Sequence, residues 1–349
     1  MTRRTRFAFC GTLLALLGAS PLAALAQGEL NPPRALLSPL LDAPTNARNV
    51  PVEGYVTVRY TVLADGKAVD VRAIDAMPPS IDPAPTVAAV GGWTFAPGTR
   101  DGQPIDWYNN ETVVVFRSTA GAEGDNSGFR ERFAAIEAML AAETVDYVAA
   151  LTASENLLNE DATRLDDIGL AMVQSAVIQI GAGSLNSGLL RLRMATDPRV
   201  PMLSGTELRP ALELRMRLEG ELGRIGDALA SHSRLVKGLG PNDANAELTA
   251  IGEQLRAKAA SPDLLAVRGR ITGDSWRIEP SRRFFFIVPD EGTTGTLRTI
   301  VAECDTRRIE LAFNVENDYG LPDALGDCTI FVHGDRNTDF SFVEAPPPE

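Results

Sequence analysis

The spacing of apolar residues changes period twice along the chain, and no single sheet or bundle can accommodate both periods. In residues 54–71, GYVTVRYTVLADGKAVDV, apolar and polar residues alternate. A repeat of two is the signature of a strand with one buried face. Val56, Val58, Tyr60 and Val62 share that face, Asp65-Gly66 supplies a turn, and Val69, Val71 and Ala73 continue on a second strand, which together predict a β-hairpin. From 129 to 259 the repeat lengthens to helical spacing. Phe133, Ile136, Met139 and Leu140 follow it, as do Leu165, Ile168, Met172, Ala176 and Ile180, and again Leu212, Met216, Leu218 and Leu222. Six or seven helices in antiparallel pairs are expected. From about Leu264 to Glu344 the strand pattern returns in six runs: LLAVRGRIT, RRFFFIV, TLRTIVAEC, RRIELAFNV, CTIFVHG and DFSFVE. Gly, Asp and Pro punctuate them as in a small antiparallel sandwich or barrel. The fold class is therefore multi-domain α+β, and 349 residues suffice for two or three domains.

Punctuation places the boundaries. Residues 1–26 read as an export signal and 27–51 as a Pro-rich lead-in without periodicity, either a linker or loosely packed. The first folded unit spans 52–117 in the order β-β-α-β. MPPSIDP is a turn, APTVAAV a short helix with Asp82 available as its N-cap, and Gly91-Gly92 its end. WTFAPGTRDGQPI reads as a short extended piece and a turn, and ETVVVFR as the last strand. The small, polar residues 118–128 are a linker, 129–260 the helical unit, 264–344 the β unit, and 345–349 a disordered tail. In ELGRIGDALASHSRLVKGLGP the small residues mark a close approach of two helices, with Pro241 past the end.

Arg3, Arg4 and Arg6 precede the apolar run FAFCGTLLALLGASPLAALA, close to the about 20 residues that span a bilayer. Pro21 breaks the run near its end, and Ala24-Leu25-Ala26 before Gln27 is a small-x-small cleavage site. Cleavage between Ala26 and Gln27 would release the chain into the periplasm. The alternative is an uncleaved anchor that holds it on the inner membrane, facing the periplasm. No later segment approaches spanning length. Removal of Cys10 with the signal leaves Cys304 and Cys328, an even number that suggests a disulfide in an exported chain. Closing a loop of that size contributes about 3 kcal/mol in the chain-entropy picture. Two cysteines without a CxxC or a nearby HxxxH are a poor zinc set.

The formal net charge of −13 disfavours nucleic acid and anionic membrane as main partners, because both need clustered Lys and Arg. The expectation is a non-enzyme without cofactor or metal. HExxH, GxSxG and GxxxxGK[ST] do not occur. Of the 2 histidines, His232 lies on a helix and His333 at a strand end. GAGSLNSG, at 181–188, lacks dinucleotide-loop spacing and reads as a turn between helices. Asp65, Asp70, Asp75 and Asp82 lack the calcium-loop pattern and are turn and cap residues. Arg282-Arg283 before Phe284-Phe285-Phe286 is a charged strand flank, and Trp93 a core residue of the first unit.

Residues 44–117 resemble the TonB C-terminal domain. The resemblance is carried by Glu53-Gly54 before Val56-x-Val58, Asp65-Gly66, Val69-Asp70-Val71, Pro78, Ile81-Asp82, Trp93-x-Phe95-x-Pro97, Gly102-x-Pro104 and Val113-x-Val115-Phe116. Gly91-Gly92 stands where the family usually has a basic residue, Ala43-Pro44 replaces its Tyr-Pro, and no long Pro-Lys/Pro-Glu spacer is present. The resemblance implies a protein-binding module that pairs a sheet edge with an extended peptide, main-chain hydrogen bonds giving affinity and alternate side chains selectivity. The implied edge is Thr112, Val113, Val114, Val115 and Phe116, unless the helical unit covers it. The implied partner is an outer-membrane TonB-dependent receptor or another envelope protein. The implied role is assistance to TonB-dependent transport, with an anchored energy transducer or a structural envelope scaffold as alternatives. Leu222-Gly223, Gly226, Ala228-Leu229 and Pro241 resemble tetratricopeptide-type helix pairs, which would make the helical unit a protein-binding scaffold; a generic bundle is the other reading.

N-terminal sequencing of the exported protein is expected to start at Gln27. A chain starting at Met1 in the membrane fraction would establish the anchor instead.

Overall fold

The computed structural model describes residues 30–37, 53–117, 127–238, 246–273, 275–304 and 308–346. The signal segment with Ala26 and Gln27, linker residues 118–126, Pro241 and tail residues 347–349 lie outside the described residues. Among the described residues, no helix is long and apolar enough to cross a membrane.

The first unit is built on three antiparallel strands, β3 (Gly54–Val62), β4 (Ala68–Met77) and β8 (Trp107–Phe116), in the order β4-β3-β8. Helix α1 (Ala84–Gly91) lies against β3 and β4. Asp82 accepts a bond from the Ala84 amide at 2.9 Å, but Pro83 takes the N-cap position, so the carboxylate braces the chain just ahead of the helix. The lead-in is less idle than its composition predicts. β1 (Leu30–Asn31) pairs with β6 (Gly98–Arg100), and β2 (Arg34–Leu37) with β5 (Thr94–Ala96). β6 turns at Asp101-Gly102 into β7 (Gln103–Ile105), a two-residue hairpin within the segment expected to be a short extended piece and a turn. Strands of two to four residues around Pro32-Pro33 and Pro97 are too short to display a period, which is why the pattern missed them.

The alternation expected along β4 is also interrupted. Asp70 adopts φ 53°, and the register slips there between Arg59 and Thr61. This bulge puts Ala68, Val71, Ala73 and Ala76 on the core in place of a simple every-second-residue series.

Seven helices follow among the described residues: α2 (Ser127–Leu140), α3 (Tyr147–Glu160), α4 (Leu165–Gly181), α5 (Leu185–Ala195), α6 (Gly205–Glu221), α7 (Ile225–Lys237) and α8 (Ala246–Ala259). Ser127 and Gly128 thus belong to α2, not to the linker. Each helix packs chiefly on its neighbours in the chain. The hairpin α4–α5 recurs as α6–α7 at an offset of 40 residues at both helix starts. Both copies turn at a left-handed glycine, Gly183 (φ 78°) and Gly223 (φ 77°). In each, the following amide reaches back to the helix, Ser184 N to Gln179 O at 2.7 Å and Arg224 N to Glu219 O at 2.8 Å. GAGSLNSG is therefore the turn and first residues of α5.

The β unit is a sandwich of two antiparallel sheets. One has the order β10-β15-β12-β13, from β10 (Ser275–Ile278), β15 (Cys328–Gly334), β12 (Leu297–Cys304) and β13 (Arg308–Ala312). The other has the order β14-β11-β16-β9, from β14 (Tyr319–Gly320), β11 (Phe284–Pro289), β16 (Asp339–Ala345) and β9 (Leu265–Arg270). Phe285 and Phe342 stack between the sheets at 4.8 Å beside Ile300, Ile330 and Val332. The six expected strands are present. β10 and β14 were not legible because they hold four and two residues. Cys304 and Cys328 face each other on neighbouring strands and form a disulfide, S–S 2.05 Å.

The units are fastened to one another. All nine residues of β3 are buried, not the alternate ones alone. Val56, Val58, Tyr60 and Val62 face α1 and Phe95, while Tyr55, with Met77, Val113 and Val115, packs into a helical core containing Phe129, Ile168 and Met202. Glu53 accepts from the Leu165 amide at 3.0 Å and so supplies a cap to α4, whose own N-cap residue, Arg164, makes no side-chain cap. On the other side, Asp227 of α7 accepts from the Glu279 amide at 3.1 Å. Gly226 approaches the β unit's backbone so closely that a Cβ would sit 1.8 Å from the Glu279 carbonyl oxygen, so this small residue serves contact between units and not contact between helices. Arg282 is buried and donates to the carbonyls of Ala259, Ser261 and Asp263 at 2.8, 2.6 and 2.5 Å, closing the end of α8. It is a clamp, not a charged flank.

At the centre of the helical unit two fully buried carboxylates, Glu219 and Asp227, share arginines. Arg193 reaches both (3.0 and 2.8 Å), Arg215 reaches Glu219 (3.0 Å), and Arg224 reaches Asp227 (2.7 Å). Burial by itself would raise the Asp227 carboxyl; Arg224 and Arg193 outweigh it and hold the group ionised, below its ordinary range. Removing one member strands the others. Asp227→Ala is expected to cost about 3–5 kcal/mol in chemical denaturation, against about 0–1 kcal/mol for Arg132→Ala, whose bridge to Asp161 is at the surface.

Candidate functional site

The β8 edge is set by its pairing with β3. Thr112 stands opposite Val58, Val113 opposite Thr57, Val114 opposite Val56, Val115 opposite Tyr55 and Phe116 opposite Gly54. On its outer side no described strand pairs with β8. The helical unit covers one face of the sheet and leaves Thr112 to Val115 half-exposed, with only Phe116 buried. The opposite edge of the sheet, β4, is interrupted by its bulge at Asp70 and by a second register shift opposite Thr57 and Val58. Bulges twist an edge away from pairing. Of the two edges, the 111–116 stretch of β8 is the regular one, since its register with β3 shifts only beyond Tyr60.

Side chains on this strand are already engaged. Val114 and Phe116 belong to the core of the first unit, and Val113 and Val115 pack on the helical core. What remains free is the main chain. Both ends of the stretch are pinned: Glu111 accepts from Arg59 at 2.7 Å and from Arg199 at 3.4 Å, and Arg117 donates to the Pro201 carbonyl at 3.1 Å. The segment between α5 and α6 thus holds the strand straight from below.

The other singled-out residues fall into structural places. His232 is buried, its Nε2 2.9 Å from the Leu248 carbonyl oxygen. His333 lies on β15, opposite Ser275 and Thr299. Asp65 accepts from the Lys67 amide in the hairpin turn (3.1 Å), and Asp70 forms the bulge. Trp93 packs on the first unit's core beside Phe95, ring centroids 6.4 Å apart. Among the described residues no group of three or more His, Cys, Asp or Glu side chains could hold a metal ion. Arg283 donates to the Gly326 carbonyl at 2.5 Å.

Sequence reasoning missed one feature altogether, a cleft of about 1640 Å³ where the three units meet. Tyr55, Arg59 and Asp75 line it from the first unit, Arg191 and Arg234 from the helices, and the Cys304–Cys328 disulfide from the sandwich. Its residues come from segments far apart in the chain, and no local motif announces them. On its wall Tyr55 Oη donates to Asp75 at 2.8 Å. Burial pushes the Asp75 carboxyl above its ordinary range, with the Tyr55 bond and Arg191 opposing; the Tyr55 hydroxyl is also pushed up, by burial and then by the Asp75 charge.

Residues 43–116 match the family described as Gram-negative bacterial TonB protein C-terminal. The match covers the first unit and ends before the helical unit, whose resemblance to tetratricopeptide pairs rests on its helix hairpins alone. No curated protein matches the chain.

Because the folded-state pKa of Asp75 is raised, its contribution to stability is complete below the ordinary value of 3.8 and is lost as pH rises through the elevated one. Asp75→Asn should therefore gain stability relative to the parent as pH rises from 3 to 8 in denaturation titrations. A relative loss over that range would show that the Tyr55 bond to the ionised form outweighs burial.

Proposed function

We propose that this is a non-enzymatic protein of the cell envelope, exported to the periplasm, that binds an extended peptide by adding it as a fourth strand to β8. The observation that carries the reading is the coincidence of the TonB C-terminal match at 43–116 with a regular, unpaired edge at 111–116. An exposed row of backbone donors and acceptors is a template for strand addition. Receptor segments from TonB-dependent outer-membrane transporters are the proposed partners, and assistance to their transport the proposed role. No cofactor enters this work.

Engagement of Val113 to Phe116 in folding shapes the expected specificity. Main-chain bonds would supply the affinity, and side-chain selection would fall to the half-exposed Thr112 and the exposed Arg117. The fixed docking of the first unit on the helices also makes binding a rigid-body event, with little ordering cost on the protein's side.

Hydrogen exchange of the exported chain, with and without peptides from the periplasm-facing ends of such receptors, tests the reading. Slower exchange confined to 111–117 is expected at saturating peptide. No change there at millimolar peptide would reject the reading.

A further inference from the structure

The cleft between the three units carries a charge pattern that the β8 edge does not explain. Most of its arginines are matched by carboxylates of the same wall. Arg59 pairs with Glu111 at 2.7 Å, Arg199 with Asp197 at 2.8 Å, Arg277 with Glu279 at 2.8 Å, and Arg193 and Arg215 with the buried Glu219. Arg282 is held by main-chain carbonyls, and Arg283 meets the Gly326 carbonyl and Asp323; two others have no such partner. Arg191 of α5 and Arg234 of α7 both line the cleft, both are half-buried, and neither makes a hydrogen bond or an ion pair among the described residues, although the Arg191 charge acts on Asp75 without contact. Lys237, one turn beyond Arg234, is a third cation without such a bond, at the exposed rim. The chain as a whole carries −13, so this local excess of positive charge runs against the surrounding field.

An unmatched, half-buried guanidinium is costly. Burial, and then the neighbouring Arg215 charge, lower the Arg234 pKa from its ordinary value. The charges of Asp197, Glu219 and Glu279 offset this only in part and without contact; a ligand carboxylate would offset it further, through charge-assisted and bidentate hydrogen bonds. Apolar side chains, Leu190, Met194 and Leu229, line the same cleft. The volume exceeds the about 300–1,000 Å³ typical of a site enclosing one small molecule, so the space suits a chain. A lipid tail would need a continuous apolar lining, which the intervening charges break. Nucleic acid would need an exposed basic stripe, and here the cations are recessed.

We propose that this cleft binds an acidic peptide segment, with Arg191 and Arg234 each receiving one of its carboxylates and Leu190, Met194 and Leu229 contacting its aliphatic parts. The site adjoins the β8 edge at Glu111 but none of the five side chains assigned to the peptide lies on that strand, and the inference does not depend on the function proposed above.

Calorimetric titration of the exported chain, disulfide intact, tests it with a capped hexapeptide of alternating Glu and Leu. Its Gln-Leu analogue has the same backbone and would add to the β8 edge equally well, so the difference between the two reports the cleft. Saturable binding of the Glu peptide is expected, at least about tenfold tighter than the Gln peptide, one tenfold step being 1.4 kcal/mol. Arg191→Gln and Arg234→Gln should each weaken it about tenfold, and Arg130→Gln, an exposed residue on α2, should leave it unchanged. Arg191→Lys and Arg234→Lys keep the charge and lose the planar fork; intermediate affinities in these variants support the assignment even if a Gln variant folds poorly. Equal affinity of both peptides, equal affinity of parent and variants, no saturable heat at millimolar peptide, or saturation by inorganic phosphate in place of the Glu peptide would each overturn the proposal.

Discussion

Strand β3 has no exposed residue along its nine positions, and a strand buried on both faces must have a partner on each. One partner is local: α1 and Phe95 close the face of Val56, Val58, Tyr60 and Val62. The other is the helical unit, which receives Tyr55 and the flanking Met77, Val113 and Val115. Thr57, Arg59 and Thr61 are buried on that same side, and Arg59 is made tolerable there by its bond to Glu111. This double burial turns the first unit from a tethered module into one wall of a larger body. It also narrows which part of the sheet a partner can reach, to the edge and to the part of one face at Tyr55, Arg59 and Asp75 that lines the central cleft.

The helical unit transmits the same logic to the sandwich. Glu219 and Asp227 lie on consecutive helices of one hairpin, and their arginines come from α5, α6 and the turn before α7, so the buried ion cluster ties three helices at one point. Arg224 extends the cluster outward: its guanidinium donates to the Arg277 carbonyl and lies over the Trp276 ring, 4.8 Å from its centre. Glu344 completes the junction by accepting from the Ser281 and Arg282 amides, both at 2.8 Å. Polar bonds of this kind fix orientation, because an alternative docking would leave buried charges without partners. Apolar packing alone would specify it less sharply.

The two binding regions follow from this assembly in different ways. The β8 edge exists within the first unit and is only framed by the helices, through the segment between α5 and α6. The central cleft exists in no single unit. Its two unmatched arginines come from helices, and the sandwich disulfide and the sheet of the first unit also line it, so it forms only when all three are docked. Both would serve the recognition of extended chains that is proposed for this protein.

By itself, the sequence determined the β3–β4 hairpin, the short helix and the last strand of the first unit, the helix pairs, six of the sandwich strands and the pairing of Cys304 with Cys328. These rest on period, turn residues and cysteine count, all of which are local or arithmetic. Short strands such as β1, β2, β10 and β14 escaped, because two to four residues carry no period. Only the tertiary structure decided that Tyr55 and Arg59 are buried, that Glu53 caps α4, that Gly226 admits a carbonyl, and that Arg282 clamps α8. Each of these depends on a partner distant in the chain, and alternation cannot distinguish a face turned to water from one turned to another unit. The edge at Thr112 to Phe116 was legible through resemblance, while its exposure was not. Nothing in the sequence set Arg191 and Arg234 apart; the fold alone places them in a common cleft.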